Sequence, residues 1–94
     1  MSEHWIKALR FAALPEADRV RFEAHKLVED GTPTLNYHLQ SQTAAGSVIG
    51  EDRDYDLLKA AIGPLATLYE ASGHTDLILE LNLKTNTLRQ IQSK

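Results

Sequence analysis

Leu77, Leu79, Leu81 and Leu83 occupy alternate positions of the segment 76–84, and Glu80, Asn82 and Lys84 stand between them. Successive side chains of a β-strand point to opposite faces, so this period predicts a half-buried strand with its leucines on the covered side. The segment 34–42 alternates in the same way. Leu35, Tyr37 and Leu39 are set against Asn36, His38, Gln40 and Gln42. Thr43-Ala44-Ala45-Gly46 reads as a turn, and 47–50 as a short returning strand. Lys84-Thr85-Asn86-Thr87 reads as a hairpin turn, because asparagine tolerates left-handed backbone, and 88–92 as its second strand.

Three other segments carry a helical period. Trp5, Ile6, Leu9, Ala12 and Ala13 predict a first helix over 3–13, with Ser2 as its N-cap. Ala17, Val20, Ala24, Leu27 and Val28 predict a second, beginning at Pro15 and running to about Asp30. Pro15 suits a first helical position, Glu16 and Asp18 suit the positive helix start, and Gly31 and Pro33 end the pattern. Phe22 lies off this stripe and implies a second contact surface. Leu57, Leu58, Ala61, Ile62, Leu65, Leu68 and Tyr69 predict a third helix from about Asp54 to a cap at Gly73. Its phase does not slip across Gly63-Pro64, so the helix is expected to continue through the proline in kinked form.

The predicted order is α-α-β-(β)-α-β-β. Helices combined with antiparallel hairpins give an α+β fold, a small antiparallel sheet of three to four strands with one face covered by helices. At 94 residues the whole chain, 1–94, is expected to be a single domain with one modest core.

Composition narrows the chemistry more than it suggests any. Cysteine is absent, which removes disulfide scaffolds, cysteine-ligated metal and cysteine nucleophiles. The N-terminal residues lack the basic start and apolar run of a signal peptide, and no stretch approaches ~20 apolar residues, so a cytoplasmic protein without membrane contact is expected. The net charge is −3. The acidity is concentrated in Glu51-Asp52-Arg53-Asp54-Tyr55-Asp56. Arg10, Arg19, Arg21 and Lys26 are interleaved with Glu16, Asp18 and Glu23, so no basic stripe faces a nucleic acid.

Asp52-x-Asp54-x-Asp56 opens with calcium-loop spacing, but Leu57 stands where that loop needs glycine and Gly63 where it needs glutamate. Carboxylates in the first turn of a helix account for the run, and an acidic contact for a partner is the functional alternative. His4, His25, His38 and His74 show no metal-ligand spacing, and no phosphate loop or nucleophile elbow is present. Neither a metal nor another cofactor is therefore expected. Pairing of Glu80 with His38 for acid–base work requires adjacent strands and a site more secluded than an exposed sheet face.

What remains is the polar side of the strands: Asn36, His38, Gln40 and Gln42 on one, Glu80 and Asn82 on another. Amide-rich surface is cheaper to desolvate than charge and suits an interface. The sequence therefore points to a non-enzymatic interaction protein whose partner is another protein or a second copy of itself. Its partner-binding residues are those six together with Asp52 and Asp54. A small ligand-binding or enzymatic domain is the alternative. Its pocket would lie between the third helix and the sheet, with Trp5, Tyr37, Tyr69 and His38 as candidates.

Overall fold

The computed structural model of the chain describes residues 2–49 and 55–93. Its elements run α1 (Ser2–Ala12), β1 (Arg19–Glu29), β2 (Thr32–Gln42), β3 (Val48–Ile49), α2 (Tyr55–Ser72), β4 (Asp76–Asn82) and β5 (Thr87–Ser93). The strands form one antiparallel sheet in the order β3-β2-β1-β4-β5. The architecture is α+β with five strands and two helices, where the sequence predicts three to four strands and three helices.

The difference is β1. The segment predicted as the second helix is the central strand, paired with β2 from Arg19↔Gln42 to Glu29↔Thr32 and with β4 from Arg19↔Asn82 to His25↔Asp76. Val20, Phe22 and Ala24 are buried, and the residues between them are partly exposed, which is period 2. Phe22, off the helical stripe, is on the strand's core side. Glu, Arg, Ala and Lys favour helix only by tenths of a kcal/mol each, and a site flanked by two strands overrides that preference. Pro15 starts a turn instead of a helix: the Ala17 N–H donates to the Leu14 carbonyl at 3.0 Å, which places Pro15 second in the turn.

The Asp30-Gly31 pair closes the β1–β2 hairpin. Both residues have positive φ, 53° and 78°, as a two-residue type I′ connection requires. Glu29↔Thr32 is then the first hydrogen-bonded pair, and Pro33 falls at a non-bonded position opposite Val28. Its missing N–H costs the ladder nothing there.

The remaining elements follow the predicted pattern. β2 and β4 coincide with the two alternating segments, β3 with the short return after the turn at 43–46, and β5 with the strand after the asparagine turn. Helix α2 is continuous with Pro64 inside it, and Gly73 follows at φ 77°. Ala61, Leu65 and Tyr69 stay on its buried side through the proline. Asp54, the predicted start of that helix, lies outside the described residues.

Both helices lie on one face of the sheet. Leu9 and Ala12 of α1 and Ala61, Leu65 and Tyr69 of α2 join Val20, Phe22, Ala24, Leu77, Leu79 and Leu81 in one core. Four rings cross it. Trp5 is 6.0 Å from Phe22, Phe22 is 6.0 Å from Tyr37, and Tyr37 is 5.9 Å from Tyr69. The Tyr69 hydroxyl donates to the Thr75 carbonyl at 2.5 Å, and its burial raises its pKa.

Candidate functional site

The opposite face of the sheet carries no helix among the described residues. Inserting β1 between β2 and β4 fixes what lies across it. One row runs Gln42–Arg19–Asn82, the next Gln40–Arg21–Glu80, the third His38–Glu23–Ile78, and the last Asn36–His25–Asp76. Six of the residues predicted for partner binding share this face: Asn36, His38, Gln40 and Gln42 in the β2 column, Glu80 and Asn82 in the β4 column. Asp52 and Asp54 lie outside the described residues. Glu80 and His38 occupy neither adjacent strands nor the same row, so they do not form an acid–base pair.

The centre of the face belongs to residues that the helical reading of β1 hid: Arg19, Arg21, Glu23 and His25. They neutralise one another and their β4 neighbours. The Arg21 Nε donates to Glu23 Oε1 at 3.0 Å, and Arg19 reaches Glu80 at 3.7 Å. His25 sits between two carboxylates, with Nδ1 2.8 Å from Asp76 Oδ1 and Nε2 3.6 Å from Glu23 Oε2. The signal that could have found this column was the Asp-Gly pair, which calls for a hairpin and therefore a strand on each side of it.

The hydrogen bond to Asp76 raises the pKa of His25; burial opposes the rise, and Glu23 adds to it. The folded state thus holds the proton more tightly than the unfolded chain, whose histidine titrates near ~6.5. Its stabilisation is complete below that value and is lost as pH rises through the folded pKa. The urea midpoint is therefore expected to fall as pH rises from about 6.5 toward 8. His25→Gln should flatten that slope. An unchanged slope in the variant would show that His25 is not the group responsible.

Other polar groups serve the scaffold. Asn82 Oδ1 accepts the backbone N–H groups of Lys84 and Thr85, at 3.0 and 3.1 Å, and so builds the β4–β5 turn. Asp18 Oδ2 accepts the Ala44 N–H at 2.8 Å, and Asp18 Oδ1 meets Lys84 at 3.3 Å. These contacts, the Ala44 one foremost, hold the Asp18 carboxyl below the usual carboxylate range. In the β2 column, by contrast, Gln42 donates weakly to Gln40 at 3.4 Å, while Asn36 and His38 have no side-chain hydrogen bond to another described residue. Arg21, Glu23, His38 and Gln40 line a depression of about 140 Å³.

The four residues named for a ligand pocket do not converge. Tyr37 and Tyr69 are rungs of the core ladder, and His38 faces away from the helices. Trp5 borders a groove of about 580 Å³, which runs between α1, the end of α2 and the β4–β5 hairpin and includes Leu68, His74, Leu88 and Gln90; Tyr69 borders a separate one of about 390 Å³ between the end of α2 and the β1–β2 hairpin, with Lys26, Leu35 and Glu70. Among the described residues no group of three or more His, Asp or Glu side chains is placed to hold a metal. No described helix is long and apolar enough to cross a membrane.

No protein-family model, no curated protein and no solved structure matches this chain.

Proposed function

We propose that this is a small cytoplasmic protein-interaction module: an inhibitor, an immunity or antitoxin-type partner, or an assembly adaptor. It meets another protein through the open face of the sheet, with the acidic run 51–56 as a second contact. The observation that carries this reading is the division of labour across the face. The β1 and β4 charges pair among themselves, so they are already compensated when water is removed. The β2 column keeps unspent donors and acceptors at Asn36 and His38. An interface of this kind gains from the amides without stranding a charge.

The test is a double substitution in the β2 column, His38→Glu with Gln40→Glu. Both side chains are exposed, so the unfolding free energy from urea melts should stay within about 0.5 kcal/mol of wild type. A partner recovered from the native host on the wild-type protein should be lost from the variant. Equal recovery on both would remove the face from the interaction.

A second reading, binding or turnover of a small molecule, is favoured by the groove beside Trp5, whose volume lies in the usual range for ligand sites. The two readings separate cleanly. The groove opens on the helical side of the sheet, so small-molecule binding would survive His38→Glu with Gln40→Glu.

A further inference from the structure

The β1–β2 hairpin outruns the sheet. Pairing of β1 with β4 ends at His25↔Asp76, and one more backbone bond, from Lys26 N–H to the Thr75 carbonyl at 3.0 Å, closes that seam. Beyond it the hairpin continues alone through Leu27↔Thr34, Val28↔Pro33 and Glu29↔Thr32. Every residue from Lys26 to Thr34 is exposed. Leu27 is 52% and Val28 64% exposed, and they point to opposite faces of the arm. A lone two-stranded ribbon is marginal in water, and one with apolar side chains on both faces gains by being covered. The tip beyond them is acidic, Glu29 and Asp30.

The helical layer presents the complement. A groove of about 400 Å³ runs between α1 and α2, lined by His4, Lys7, Ala8, Phe11, Pro64, Thr67 and Leu68. Phe11, 67% exposed, forms its lip. The floor is apolar or small, and among the described residues the charged lining group is Lys7 and no carboxylate lines it. Glu3, the single acid of α1, is not among the lining residues.

We infer that two copies of this chain exchange arms. The apolar tip of each hairpin, with Val28 and Leu27, seats in the α1–α2 groove of the other, and Glu29 and Asp30 meet Lys7. The chain's own arm does not cover its own groove, since both are exposed. The match of apolar surface with apolar surface, and of acidic tip with basic rim, is self-complementary within one sequence. A two-fold axis then makes the contact twice and closes the assembly. Because it is reciprocal, each arm–groove contact needs only about 600 Å² to reach the ~1,200 Å² at which specific interfaces begin. This pairing uses the helical side and the arm, and it does not depend on the open face of the sheet.

Charge reversal tests it by sedimentation of the full chain. Lys7→Glu is one variant; Glu29→Lys with Asp30→Asn is the other, asparagine keeping the left-handed turn residue that position 30 requires. All three side chains are exposed and none takes part in an ion pair among the described residues, so each variant should stay folded with unchanged circular dichroism, its urea midpoint losing only what dimerisation adds to the wild type. Wild type is expected to sediment as a dimer and each variant alone as a monomer. An equimolar mixture of the two variants should sediment as a dimer again, because both reciprocal contacts regain opposite charges. A monomeric wild type overturns the inference. So do a dimer indifferent to both reversals, a mixture that stays monomeric, and a ladder of larger species. His38→Glu with Gln40→Glu should leave the dimer intact, so failure of the arm exchange and failure of the sheet-face reading are distinguishable.

Discussion

Phe22→Ala is expected to destabilise the protein by about 3–5 kcal/mol, the range for truncating a buried aromatic side chain. Phe22 is fully buried at the middle of the central strand, between the rings of Trp5 and Tyr37. Its loss removes apolar burial, opens a cavity beneath both helices and breaks the aromatic ladder in two. Domains of this kind are stable by only ~5–15 kcal/mol, so the variant should be close to unfolding at room temperature. Glu23→Ala, one position along and on the other face, should cost under about 1 kcal/mol, since it gives up only partly exposed ion pairs. Urea unfolding of the two variants decides the matter. Comparable costs would mean that β1 does not alternate between core and surface.

Leu81→Ala should cost about 2–5 kcal/mol. Leu81 is fully buried, paired with Val20 on one side and Leu88 on the other, so three strands lose a shared contact. Glu80→Ala should cost less than about 1 kcal/mol, because the Arg19 guanidinium also donates to the Thr43 and Ala44 carbonyls. Asn82→Ala stands between them at about 1 kcal/mol, since two backbone N–H groups of the turn lose their acceptor. The order Leu81, Asn82, Glu80 in urea midpoints is the result to look for. A Glu80 variant as unstable as the Leu81 variant would show the sheet to be buried on both faces.

The strands flanking β1 were legible because their side chains alternate without ambiguity. Leu77, Leu79 and Leu81, or Leu35, Tyr37 and Leu39, fit period 2 and nothing else. The helix through Pro64 was legible because the phase of Ala61, Leu65 and Tyr69 does not slip. β1 was not, because Val20 and Ala24 are four residues apart, a spacing that fits a helix turn and a pair of strand repeats alike. Leu27 and Val28 extended the apparent helical stripe, yet both are exposed on the arm and help form no core. Two residues carried the correct answer: Phe22, which only the strand period accommodates, and Gly31, which serves a hairpin after Asp30 as readily as it ends a helix. The candidate face was legible in its outer columns and lost its central one with the strand. Row membership across a sheet depends on register, which pairs residues up to the length of the chain apart and leaves no local pattern.

The aromatic ladder turns the chain into its own optical reporter. Trp5 is the one tryptophan in the sequence and lies on α1, with its ring against Phe22 of the central strand. Intrinsic emission excited at the red edge, where tyrosine does not absorb, therefore reads a single contact: the docking of the first helix on the sheet. Tyr37 and Tyr69, further along the ladder, are close enough to pass excitation toward that indole, so the ratio of tyrosine to tryptophan emission also registers whether β2 and α2 are in place. Helix detachment and loss of the sheet thus carry separate spectral signatures in the unmodified protein.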